Sequence, residues 1–290
     1  MIVLDGKKLS GELLENLGRR VDELKKIYGR APHLVVIRVG EDPASIVYVR
    51  NKARASESIG ILNTTLVLPE ETAEEALVAK IKELDADDSV DGILVQLPLP
   101  GHISESRIIE SIAREKDVDG FHPENVAALW QKRPGTVPCT PKGIMKLIAA
   151  AGVDPKGKRA VVIGRSNIVG LPVGKMLLDA NATVTFCHTR TENLPEVTRE
   201  ADILVVAAGR PKVVTADMVR EGAVVIDVGI NRDEQTKKLC GDVDYDNVAP
   251  KVYAITPVPG GVGPMTIACL MENTLECFEL QAKKNRRGDS

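Results

Sequence analysis

Tyr48 and Lys52, in Tyr48-Val49-Arg50-Asn51-Lys52, stand four residues apart and share one face if the segment is helical. A lysine can take and return a proton when its surroundings favour the neutral amine. Such a pair is also common on a solvated helix face, so its neighbours decide what it means. Gln96 closes an apolar run, Gly92-Ile93-Leu94-Val95, and precedes Leu97-Pro98-Leu99-Pro100. Ligands of open α/β sheets gather at the carboxyl ends of strands, so an amide there is expected to face a pocket. Lys116-Asp117-Val118-Asp119-Gly120-Phe121 lacks helical periodicity. Within it Asp117 reads as a turn or cap residue and Asp119 as the ligand candidate. Together these residues read as a proton-handling, substrate-polarising set.

A second constellation is Val161-Val162-Ile163-Gly164-Arg165-Ser166-Asn167-Ile168-Val169-Gly170-Leu171-Pro172. An apolar strand enters a glycine turn and then a helix, whose free N–H groups can receive phosphate. Gly164 permits the tight turn, Ser166 offers a hydroxyl, and Gly170 lets the helix sit close to the sheet. A purely structural strand-to-helix turn would look much the same. The following strand, Val184-Thr185-Phe186-Cys187, ends in His188-Thr189-Arg190 with no carboxylate for a ribose 2′-hydroxyl. Arg190, helped by Arg165, could pair with a 2′-phosphate, or it is a solvated loop arginine. The pattern predicts NADP in preference to NAD. A hydride carrier together with a basic lysine points to redox chemistry coupled to a proton-dependent step.

The elements that must position these groups alternate between short apolar runs and amphipathic stretches, the mark of an α/β fold. Strands are expected over 33–39, 62–68 and 91–97, with helices over 11–28, 44–59, 72–84 and 105–113. Asp42-Pro43 is a good helix start. The segment after Asp119 is rich in turn residues (Pro123, Pro134-Gly135, Pro138, Pro141) and reads as a domain boundary. Strands over 159–163, 183–187, 203–207, 224–228 and 252–255 follow. A final amphipathic helix from Met265 to about Ala282 is expected to pack back on the first domain.

The 290 residues suffice for two domains. Aromatics are only 3%, so Val, Ile, Leu and Ala must build the core. A net charge of -3 gives no reason to expect nucleic acid or a membrane surface as partner. The one basic run, Lys283-Lys284-Asn285-Arg286-Arg287, reads as a solvated, frayed end. Five cysteines without a Cys-x-x-Cys pair argue against disulfides or a metal site and for a reducing cytoplasm. No membrane span or signal-length apolar run stands out. His33, His102, His122 and His188 read as turn or surface residues.

These stretches resemble the bifunctional methylenetetrahydrofolate dehydrogenase/cyclohydrolase family. The similarity runs from Asp5-Gly6-Lys7 to the last helix. Its most specific pieces are Val39-Gly40-x-x-Pro43-Ala44-Ser45-x-x-Tyr48-x-x-x-Lys52, Gln96-Leu97-Pro98-Leu99-Pro100, Lys116-Asp117-Val118-Asp119-Gly120-Phe121, Pro138-Cys139-Thr140-Pro141, the Gly164 turn, and Pro257-Val258-Pro259-Gly260-Gly261-Val262-Gly263-Pro264-Met265-Thr266. The chain departs from the family pattern at Asn125-Val126-Ala127-Ala128-Leu129, where Ala127 stands in place of a usual glycine.

The resemblance implies two α/β domains with the active-site cleft between them. An N-terminal folate-binding domain would span 1–138, completed by the C-terminal helix 266–290. A Rossmann-like parallel-sheet NADP-binding domain would span 139–265. It implies oxidation of 5,10-methylenetetrahydrofolate to the 5,10-methenyl compound, then hydrolysis to 10-formyltetrahydrofolate. By resemblance, Lys52 is the base or proton shuttle, Gln96 hydrogen-bonds it, Tyr48 places the folate rings, and Asp119 accepts from pterin N–H groups. Leu97, Pro98, Pro259, Gly260 and Gly261 would touch substrate. Gly164, Arg165, Ser166, Thr189, Arg190 and Ile230 would touch the dinucleotide. Homodimers paired through the C-terminal domain, a cytoplasmic or organellar location, and a place in tetrahydrofolate interconversion and purine biosynthesis are implied too. Retention of Lys52, Gln96 and Asp119 disfavours the two alternatives, a dehydrogenase lacking the second activity and a binding protein without turnover.

Overall fold

The computed structural model describes residues 1–233 and 237–288. Residues 289 and 290 of the expected closing segment, and the side chains of Asn285, Arg286 and Arg287, lie outside the described residues. The chain divides into two compact units, one of residues 1–11 and 140–266, the other of 12–139 and 267–290.

The unit of residues 12–139 and 267–290 holds a three-stranded parallel sheet, ordered Leu62–Leu68, His33–Val39, Gly92–Val95. Side chains alternate across the central strand, as a strand's two-residue period requires. Leu34 and Val36 join a core with Val21, Leu24, Leu270 and Phe278, while Val35 and Ile37 join another with Leu77, Ile81 and Ile108. Both faces are therefore buried, which explains the continuous apolar run of the strand. The last helix, Val262–Gly288, supplies part of the first core, and the basic tail expected to fray is helical through Gly288.

The unit of residues 1–11 and 140–266 is built on a six-stranded sheet. Its order is Ile2–Val3, Ala254–Ile255, Val224–Asp227, Ile203–Val206, Arg159–Ile163, Thr183–Cys187, with all neighbours parallel. The chain reverses direction across the sheet between Arg159–Ile163 and Ile203–Val206, and ligands of such sheets bind at that switch point.

Three expectations need correction. Residues 1–11 group with 140–266 and not with the first domain, because Ile2 and Val3 pair with Ala254 and Ile255. The turn-rich segment after Asp119 contains a helix, Pro123–Trp130, in which Pro123 occupies the first turn and the His122 side chain caps the Glu124 N–H at 3.2 Å. A further helix, Cys139–Ala150, contains Pro141 near its start. Ala127 lies within Pro123–Trp130, so the departure from the family's glycine falls where alanine is the better residue. Among the described residues no helix is long and apolar enough to cross a membrane.

Candidate active site

The helix Pro43–Ser58 carries Tyr48 and Lys52. Its start is fixed by Asp42, whose carboxylate accepts the Ser45 N–H at 2.7 Å, a bond that lowers the carboxyl pKa. One turn apart on this helix, Tyr48 is exposed and Lys52 is half-buried. The Lys52 Nζ donates to Gln96 Oε1 at 3.0 Å. Gln96 itself is held at both ends: its backbone N–H donates to Ile37 O at 2.8 Å, continuing the sheet, and its Nε2 donates to Leu97 O at 2.6 Å. Gln96 thus offers Lys52 its acceptor oxygen in a fixed orientation.

Asp119 arrives beside the same strand. Asp117 bridges Ile93 in parallel, so two residues further on Asp119 stands level with the strand's end. Burial raises the Asp119 pKa, the Lys52 ammonium opposes that rise, and the Asp117 charge adds to it. Lys52 and Asp119 are therefore within electrostatic reach of each other. Asp117 is a turn residue, as expected: its carboxylate accepts from Gly120 N, His122 N and Asn125 Nδ2 at 3.0, 2.8 and 2.8 Å. Tyr48 is only 36% exposed, and the partial burial of its ring raises its pKa. Leu97 and Asp119 both line a small apolar crevice, while Pro98 is exposed.

Three supporting groups were not legible in the sequence. The buried Lys116 Nζ donates to Leu84 O, Asp85 O and Asp87 O at 3.1, 2.8 and 2.8 Å, stapling the segment before Asp119. Asn273, fully buried on the last helix, donates through Nδ2 to Val118 O at 2.8 Å and Val137 O at 2.9 Å. The Cys139 thiol donates to Val118 O at 3.3 Å. The carbonyl preceding Asp119 is thereby clamped twice. A polar Asn within an apolar helical stretch was the only sequence signal for it.

The other unit holds the glycine turn. Gly164 has φ +125°, and a Cβ there would lie 2.4 Å from Ala207 O, so no other residue fits. Ser166 Oγ accepts from Val169 N at 3.2 Å and Gly170 N at 3.3 Å, capping the helix Gly170–Asp179. A cavity of about 440 Å³ opens here, lined by Gly164, Arg165, Ser166, His188, Thr189 and Arg210 among others. Among the described residues no carboxylate lines it. Bare backbone, a hydroxyl, N–H groups and guanidinium groups are a donor set for phosphate. Arg190 and Ile230 are exposed and are not among the residues lining the cavity. The Arg190 N–H donates to His188 Nδ1 at 3.1 Å.

Pro259, Gly260 and Gly261 lie in the loop before the last helix. The Lys7 N–H donates to Gly260 O at 3.0 Å, and a Cβ on Gly6 would lie only 1.8 Å from Gly261 O. Asp5-Gly6-Lys7 therefore serves to hold this loop, and only glycine permits the approach.

Residues 4–119 match the family model described as "Tetrahydrofolate dehydrogenase/cyclohydrolase, catalytic domain", and residues 138–282 match the NAD(P)-binding domain of the same family. The bifunctional protein FolD of Lachnoclostridium phytofermentans is 56% identical over 272 residues, covering 94% of this chain and 96% of that protein. The crystal structure of the bifunctional enzyme FolD, methylenetetrahydrofolate dehydrogenase/cyclohydrolase, from Campylobacter jejuni is similar with a TM-score of 0.94 and 51% identity, covering 97% of this chain and 99% of that one. The Trypanosoma brucei FolD, solved with NADP cofactor and an inhibitor, has a TM-score of 0.92 and 38% identity over 97% of this chain and 98% of its own. With both of its units matched and more than half of a curated relative's residues shared along nearly its whole length, this chain belongs to the tetrahydrofolate dehydrogenase/cyclohydrolase family.

Proposed function

We propose that the protein is a bifunctional one-carbon folate enzyme. It oxidises 5,10-methylenetetrahydrofolate to 5,10-methenyltetrahydrofolate with NADP and hydrolyses the product to 10-formyltetrahydrofolate. The observation that carries this reading is the Lys52–Gln96 bond at 3.0 Å, with the Asp119 carboxyl in electrostatic reach of the same ammonium.

The cavity fits NADP by its chemistry, since it combines a glycine cradle with guanidinium groups and, among the described residues, no carboxylate lines it. Gly164, Arg165, Ser166 and Thr189 would hold it, with Arg190 and Ile230 proposed at its margin. When bound, NADP supplies an acceptor for the hydride of the one-carbon bridge. Lys52 and its partners perform the proton chemistry. As water adds to the cationic methenyl carbon, Lys52 Nζ in its neutral form accepts a proton from that water. As the carbon–N5 bond breaks, the resulting ammonium returns that proton to N5 while the hydroxyl on the carbon loses its own proton to solvent, leaving the formyl group on N10. Gln96 holds the ammonium in place throughout. Tyr48 lies along the folate rings, and Asp119 in its ionised form accepts from pterin N–H groups. Leu97, Pro98, Pro259, Gly260 and Gly261 complete the substrate contacts.

The test follows absorbance of the methenyl compound during incubation with methylenetetrahydrofolate and NADP. Wild type is expected to form NADPH without lasting methenyl accumulation, and Lys52→Met to accumulate methenyl. Absence of NADPH with both NADP and NAD would overturn the dehydrogenase reading.

The same reading includes a homodimer through the unit of residues 140–266. The sheet ends there in the edge strand Thr183–Cys187 with Phe186 exposed, and Leu178 nearby in sequence is exposed too. Sedimentation of the full chain at twice the monomer mass of 31.3 kDa is the expected result. Five cysteines outside any disulfide support a cytoplasmic location, consistent with tetrahydrofolate interconversion and purine biosynthesis.

A further inference from the structure

The residue that separates NADP from NAD need not lie in the stretch where the sequence pattern looks for it. In many dinucleotide folds that residue follows the strand after the glycine turn's helix, which here ends at Cys187 and leads into Thr189 and Arg190. Arg190 is exposed and outside the cavity lining. The cavity has two arginines, Arg165 after the strand Arg159–Ile163 and Arg210 after the strand Ile203–Val206. Those two strands are neighbours in the sheet, so the loops that follow them converge on one opening.

Arg210 stands on a fixed base. The buried Asp242 carboxylate accepts the N–H groups of Ala208, Gly209 and Arg210 at 2.7, 2.8 and 3.0 Å, and Asn231 Nδ2 at 2.8 Å. These bonds consume the backbone donors of the loop and leave the Arg210 side chain out of them. Among the described residues neither the Arg165 nor the Arg210 guanidinium forms an ion pair. Two guanidinium groups without ion pairs, lining a cavity to which no described residue brings a carboxylate, complement an anion such as a phosphate monoester.

We propose that Arg210, acting with Arg165, is the residue of this chain that recognises the 2′-phosphate of NADP and sets the preference over NAD. The inference rests on the proposed use of NADP and extends it to a residue of a different loop. A 2′-hydroxyl offers Arg210 no charge to hold, so its loss falls on NADP alone.

The experiment measures binding by calorimetry on the full chain, without folate, using adenosine 2′,5′-bisphosphate and adenosine 5′-monophosphate as probes. Wild type is expected to prefer the bisphosphate. Arg210→Ala is expected to weaken bisphosphate binding about 10- to 100-fold, the span of a charge-assisted hydrogen bond, and to leave the monophosphate within about twofold. Arg210→Lys should recover part of the loss, and Arg190→Ala should lose less than Arg210→Ala. Unchanged circular dichroism and melting of Arg210→Ala keep a folding defect apart from a binding one. Equal weakening of both probes, or a loss carried by Arg190→Ala instead, overturns the assignment while the NADP reading stands. A wild type that does not distinguish the two probes overturns the NADP reading and the assignment with it.

Discussion

Lys52 and the cavity arginines are all cations, yet the protein treats them in opposite ways. The Lys52 ammonium is already bonded to an amide whose other atoms are tied to the sheet and to Leu97 O. Arg165 and Arg210 have no ion-pair partner among the described residues. A group that must take and return a proton needs one geometry for both protonation states, and a neutral partner supplies that without fixing the charge. A group that must hold a phosphate needs its charge uncommitted until the ligand arrives, because an internal carboxylate would compete for it. The proton site is thus built from side chain on side chain, and the anion site from backbone and loose arginines.

The largest test of that contrast is Lys52→Met. Hydrolysis of methenyltetrahydrofolate should fall about 10²–10⁴-fold, the usual worth of a positioned acid–base group. The affinity for adenosine 2′,5′-bisphosphate should not move. A parallel loss of both would show that the two regions do not work separately.

Asn273→Leu sharpens the comparison on the proton side. It strips donors from the carbonyls of Val118 and Val137, both served by a fully buried side chain. Val118 O would keep only the Cys139 thiol and the part-buried Val137 O would lose this donor, so unfolding in urea should show a loss of about 1–3 kcal/mol, the cost of one acceptor left without a partner. Folate affinity should fall as Asp119 loosens, with bisphosphate affinity retained.

On the cofactor side the matching test is a pH profile. Asp227 is buried, and its pKa rises from the ordinary 3.8 to about 6 because burial outweighs its bonds from the Gly229, Asp242 and Val243 N–H groups, with the Asp242 charge adding to the rise. A raised carboxyl pKa in the fold means that the native state holds the proton more tightly than the unfolded chain. Its contribution is therefore fully present below pH 3.8 and is lost as pH climbs through about 6. At about 1.4 kcal/mol per pH unit, the advantage of wild type over Asp227→Asn should narrow by at most about 3 kcal/mol between pH 4 and pH 7. Chemical denaturation at the two pH values reads it, and a gap that widens instead would reverse the sign of the coupling.

The smallest effect is Ala127→Gly. Restoring the family's glycine inside the helix Pro123–Trp130 should cost about 1 kcal/mol of stability, seen as a lower melting temperature with both activities intact.

How much of this was readable beforehand follows from the range over which each residue acts. Lys52 and Tyr48 share a helix face, and Gln96 ends a strand, so local periodicity and a general rule about strand ends bring them forward. The Gly164 turn is legible for the same reason, since strand, turn and helix are consecutive. Arg210 is not, because its approach to Arg165 depends on which strands become neighbours. Asn273 and Asp242 act on carbonyls or N–H groups tens to more than a hundred residues away, and nothing near them in sequence announces that. Pro123 and Pro141 show the reverse problem: the same proline marks a turn or a helix's first turn, and only the capping partner decides. Residues 1–11 went astray because a two-residue strand carries no periodicity to read.

That short strand has a consequence for how the molecule comes into being. Ile2 pairs with Ala254, so the outermost strand of the larger sheet is made about 250 residues before the neighbour it pairs with. A ribosome adding about 5–20 residues per second would leave it waiting roughly 10–50 s for its neighbour to emerge. During that time the glycine at position 6 has no loop to brace, and the Pro257–Pro264 segment that it will hold does not yet exist. Completion of this unit therefore waits for residues 254 and 255, and a product truncated before them would leave Ile2–Val3 unpaired.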